Sequence, residues 1–179
     1  MSSKKSFKKN HQDETIQIEA STGNNFSSTF FSKKLFLIVA GVIFFTMIIM
    51  SFDAGINGDE RYRAGYGIKV FNYYKTFGKD TACLNLPENL HHLGGFFDVT
   101  ATAINYAMGL DNQYDKRFHY IRHLMSAFFG FIAIFFTGLF AKEIGGWRTG
   151  IIAMLLLFLS PRFLGDSIMN PQDIPFAAS

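Results

Sequence analysis

The residues best placed to do chemistry are carboxylates. Asp59 and Glu60 adjoin one another a few positions beyond a long uncharged run. A carboxylate at that position can act as a general base or hold a divalent metal. Its plainer role is to oppose the positive end of a helix. Asp173, in Asn170-Pro171-Gln172-Asp173-Ile174-Pro175, leads into another apolar stretch. A carboxylate there costs free energy unless it caps a helix, stays hydrated or takes part in function. Four arginines (Arg61, Arg63, Arg122 and Arg162) have the planar fork that grips phosphate. Asp115, His119 and His123 recur every fourth residue and so share a helical face. Two histidines so spaced can bind a metal, and an interfacial polar stripe would look the same. His91 and His92 are adjacent and point apart. Cys83 is the sole cysteine, which excludes an internal disulfide. No phosphate-binding Gly loop, dinucleotide fingerprint, zincin motif or nucleophile elbow is present.

The elements that must carry these residues follow from the distribution of charge. Charged residues make up only 17% of the 179, against about 25% in an average soluble domain. The deficit is gathered into blocks. Residues 35–52 hold no charge and would span about 27 Å as a helix, close to the thickness of a bilayer core. This run is longer and later than a signal-peptide core. A second uncharged run lies within 121–141. After a turn over 142–148, a third candidate span covers 147–164, edged by Arg148 and Arg162. Residues 1–34 are polar and lysine-rich, and read as a disordered basic tail. The tail has no aromatic or motif support for nucleic-acid binding, so no nucleic-acid partner is expected. The chain stops in a new apolar stretch over 174–179, read as the start of a fourth membrane helix and hence as the front of a longer protein.

The expected fold class is therefore all-α: a polytopic α-helical integral membrane protein with a helical extracytoplasmic first loop. Lys33 and Lys34 before the first span, and Lys142 and Arg148 in the tight turn, place the N-terminus in the cytoplasm. Residues 53–120 are then outside, as is a second outer loop over 165–173. Within 53–120 the spacing predicts an aromatic amphipathic helix from Asn57 to Gly78, capped by Asn57 or Asp59. A second helix is expected from Pro87 to Met108, interrupted at Gly94-Gly95, with Phe96, Phe97, Ala101, Ile104 and Ala107 or Met108 as its packing stripe.

This order of elements resembles the N-terminal third of the GT-C glycosyltransferases, the protein O-mannosyltransferase and aminoarabinose transferase group in particular. The resemblance rests on Gly58-Asp59-Glu60-Arg61-Tyr62, on 122–130 from Arg122 to Gly130, on Leu159-Ser160-Pro161-Arg162 and on Asp173-Ile174-Pro175-Phe176. It implies that Asp59 matches the catalytic carboxylate of the first outer loop, and that Asp173 matches the acidic position of the second. It also implies a sugar donor on polyprenyl phosphate, an extracytoplasmic acceptor, inversion at the anomeric carbon, contact with membrane lipids and a place in a bacterial inner membrane. Many relatives carry a basic residue and paired prolines where this sequence has His91-His92-Leu93-Gly94-Gly95. Two other classes stay open from the residues. A transporter subunit would place ionisable groups at mid-membrane, where these runs hold none. A non-catalytic membrane scaffold would need neither outer carboxylate.

Overall fold

A computed structural model describes residues 32–86, 95–170 and 173–178. Every regular element among them is an α-helix: α1 Ser32–Phe52, α2 Gly58–Lys75, α3 Phe96–Ala107, α4 Lys116–Phe158, α5 Pro161–Met169 and α6 Asp173–Ala177. The basic tail up to residue 31 and the segment 87–94, with Pro87, His91 and His92, lie outside the described residues. Two of the helices, α1 and α4, are long and apolar enough to cross a membrane.

Helix α1 is already present at Ser32, three residues before the expected span, and includes Lys33 and Lys34. Helix α4 likewise starts before its expected span, at Lys116. It also reverses direction. Gly146 has φ 80° and ψ −179°, a conformation open to glycine and strained for residues with a Cβ. The arms on either side, 116–145 and 147–158, fold onto one another. A Cβ at Gly138 would lie 2.9 Å from Met154 Sδ, and one at Gly150 would lie 2.7 Å from the Gly138 carbonyl oxygen. Glycine at both positions is what lets the arms close.

Helix α1 lies antiparallel along the first arm, as the ring pairs show in order. Phe36 meets Phe135 at 5.9 Å and Trp147 at 5.4 Å, Phe44 meets Phe131 at 5.0 Å, and Phe52 meets Tyr120 at 6.0 Å. The buried core between them is Phe36, Ala40, Ile43, Met47, Ala127, Ile134 and Met154. Lys33, Lys34, Lys142 and Arg148 therefore collect at one end of the bundle. Asp53, Asp59 and Glu60 follow the other end. Between the two ends Ile38, Val42, Phe45, Phe136, Phe140 and Leu156 all face outward and are exposed.

The third span expected over 147–164 is shorter than that. Helix α4 stops at Phe158, and Pro161 opens α5 after an extended Ser160. Proline has no amide hydrogen to continue the ladder, and it drives the residue before it out of the helical region. The outer loop expected over 165–173 is consequently mostly helix, since α5 runs to Met169. It packs back on the bundle, with Ser167 seated where a Cβ on Gly130 would be.

Helices α2 and α3 form a pair beyond the end of α1. Their contact differs from both expected stripes. The aromatic residues of α2 do not share a buried face: Tyr66 is buried, whereas Tyr62 and Tyr74 are exposed. The inward face of α2 is instead Glu60, Arg63, Ala64, Tyr66 and Gly67. On α3 the expected stripe is only half buried. Phe97 and Ala101 face in beside Asp98, Thr102 and Asn105, while Phe96 and Met108 are exposed. Gly67 brings the helices together, since a Cβ there would lie 2.7 Å from the Asp98 carbonyl oxygen.

Candidate functional site: an acidic cleft on a buried ionic floor

The site is built where α2, α3 and the start of α4 meet. Asn57 caps α2, its side-chain oxygen accepting from the amides of Asp59 (2.7 Å) and Glu60 (3.2 Å). The cap sets the helix phase. Asp59 is left exposed, while Glu60 turns inward toward α4 and Arg63 toward α3.

Glu60 is 3% exposed and meets two histidines from successive turns of α4. His119 Nδ1 lies 3.1 Å and His123 Nε2 2.9 Å from its carboxylate. His119 Nε2 lies 2.9 Å from the Gln113 carbonyl oxygen. A carbonyl and an ionised carboxylate can only accept, so the two ring nitrogens of His119 each face an acceptor. Burial alone would push the Glu60 carboxyl up. The hydrogen bonds and charges of His119 and His123 together outweigh it and hold the group at about 2, below its ordinary 4.5.

Asp98, fully buried on α3, binds two guanidinium groups. Arg63 Nη2 donates to one of its oxygens at 2.7 Å, and Arg122 Nη2 to the other at 2.6 Å. Arg122 Nε sits 3.9 Å from Glu60 and joins the two halves. Asn105 Nδ2 ties α3 to the Phe118 carbonyl at 2.9 Å. The result is a water-poor array of two carboxylates, two arginines and two histidines drawn from three helices.

Above it opens a cleft of about 600 Å³. Asp59, Glu60 and Arg63 line one side, and Arg162, Asp166 and Asp173 the other. Asp173 sits in the first turn of α6 and shares a reciprocal cap with Asn170: Asn170 Nδ2 donates to its carboxylate at 2.9 Å, and its own amide donates to Asn170 Oδ1 at 3.1 Å. It is exposed, as is Arg162.

Five of the seven residues singled out from the sequence thus meet in one cleft: Asp59, Glu60, Arg63, Arg162 and Asp173. Two do not. Arg122, expected at a helix mouth as an anion clamp, is 1% exposed and engaged by Asp98. Arg61 points to the other side of α2. The Asp115, His119, His123 face is also divided. Asp115 caps α4 and pairs with Arg117 at 2.8 Å, and only the two histidines turn to Glu60. Among the described residues no group of three or more His, Cys, Asp and Glu side chains is arranged to hold a metal ion. Asp98 was missed by sequence reasoning because an acidic residue within Phe96-Phe97-Asp98-Val99 reads as the solvent side of an apolar stripe. Its signal was available only as an excess of arginine on the helices it joins.

No protein-family model matches this chain, and neither a similar curated protein nor a similar solved structure was found.

Proposed function

We propose that the chain belongs to a membrane glycosyltransferase that moves a sugar from a polyprenyl-phosphate donor to an extracytoplasmic acceptor. One observation carries the reading. Asp59 and Asp173, which lie in segments far apart in sequence, line the same cleft together with Arg63 and Arg162. The apolar belt on α1 and α4 suits lipid contact. The basic end of the bundle suits the cytoplasmic side of a bacterial inner membrane, which puts the cleft outside.

In this reading Asp59 is the base. It is exposed at the cleft, whereas Glu60 is held far too acidic to take a proton at neutral pH. Asp59 accepts the proton of the acceptor hydroxyl as that oxygen attacks the anomeric carbon. The bond from that carbon to the phosphate oxygen breaks, and the lipid phosphate leaves with the electron pair. Arg162, exposed at the cleft, neutralises the departing phosphate. Arg63, its charge balanced by Asp98, forms the floor beside it. The Glu60 array fixes the first turn of α2, and so the direction of Asp59.

The test is sugar transfer in membranes containing the protein expressed from its own gene. Asp59→Asn is expected to lower the transfer rate at least 100-fold, the usual contribution of a positioned base. A wild-type rate would remove Asp59 from that role. A scaffold is told apart by the pair Asp59→Asn with Asp173→Asn, which would leave scaffolding intact.

A further inference from the structure

A second pocket, of about 350 Å³, opens on the opposite side of α2 from the cleft. Residues 59, 60 and 63 face the cleft, while Arg61, Tyr62, Tyr66 and Lys69 face this pocket, as a helical period of 3.6 requires. Its far wall is Gln113 and Tyr114, from the turn that precedes α4. The volume lies within the range of small-molecule sites.

Two features give it a ligand chemistry. Arg61 and Lys69, two turns apart, line the space and form no ion pair among the described residues. Tyr62 and Tyr114 are exposed at 59% and 76%, rings that fold burial does not explain. Cations recognise an anion, and tyrosine faces recognise the C–H face of a ring.

We propose that this pocket binds a sugar ring bearing a phosphate or carboxylate, either free or as the headgroup of a lipid. The site is separate from the transfer cleft, and its occupancy is read by binding alone, so it stands or falls independently of the transferase reading. Isothermal titration of the whole chain in detergent micelles is the experiment, with glucose 6-phosphate, glucuronate, glucose and inorganic phosphate as probes. Saturable binding of both anionic sugars is expected, weakened at least tenfold by Arg61→Gln and by Tyr114→Ala and unchanged by Lys75→Gln. Equal affinity for inorganic phosphate would remove the ring from the assignment and overturn it. So would equal affinity for glucose, an absence of binding by the anionic sugars, or full binding by folded Arg61→Gln. In nanodiscs containing phosphatidylinositol, loss of glucose 6-phosphate binding at these residues assigns the lipid-borne form. Retained binding assigns the free sugar.

Discussion

The two ends of the bundle hold helices together by opposite means. At the lysine-rich end the contact between α1 and the two arms of α4 is aromatic and small. Phe36 packs on Phe135 and Trp147, and Gly138 faces Gly150. At the other end α2, α3 and α4 are joined by Glu60, Arg63, Asp98, His119, Arg122 and His123. Apolar packing is tolerant of small shifts and specifies orientation loosely. A buried ionic array costs desolvation free energy and demands geometry in return. The array lies directly beneath the cleft, where orientation matters. The packed end has only to hold the helices side by side.

Removing one partner from the array is expected to give the largest effect. Asp98→Leu leaves two buried guanidinium groups uncompensated and should destabilise by about 3–5 kcal/mol. Chemical unfolding in detergent, followed by circular dichroism, measures it. A loss below about 1 kcal/mol would mean that the array is hydrated and not structural.

Acid should separate the two ends next. The Glu60 pKa is lowered on folding, so its contribution is present above the ordinary value of 4.5 and is lost as the pH falls toward 2. The shift corresponds to roughly 3 kcal/mol. Protection of α2 amides from hydrogen exchange should fall across that window while protection in α1 holds. Equal loss at both ends would erase the distinction.

The smallest expected effect lies at the packed end. Gly138→Leu forces the two arms of α4 apart at Met154, an overpacking cost of about 1–3 kcal/mol. The cleft should keep its shape, which cysteine accessibility at an Asp173→Cys probe reports. If the probe changes as much as it does in Asp98→Leu, the ends are coupled and the contrast fails.

Much of this fold was legible because periodicity and charge speak for themselves. The uncharged run of α1, the Gly145-Gly146 reversal and the Asn57 cap each have a local cause. The helix opened by Pro161 was not legible: the apolar pattern carries the third span on to 164 and a loop after it, whereas the proline ends that span and starts α5. The inward faces of α2 and α3 were not legible. Local pattern puts apolar residues inside and charges outside, and here Arg63, Asp98 and Glu60 are inside because each finds its counterion on another helix. The candidate cleft was legible as a set of residue types, with Asp59, Asp173, Arg63 and Arg162 all named by position.

The sequence by itself determined the helices, their caps and which segments are apolar, because those depend on neighbours within a turn or two. Tertiary structure decided which charges are spent on the fold and which remain for a ligand. Arg122 and Arg61 look alike in sequence, yet one is locked against Asp98 and the other faces open space. A charge is free or engaged according to what lies opposite it, and for these residues the opposite group comes from a distant part of the chain.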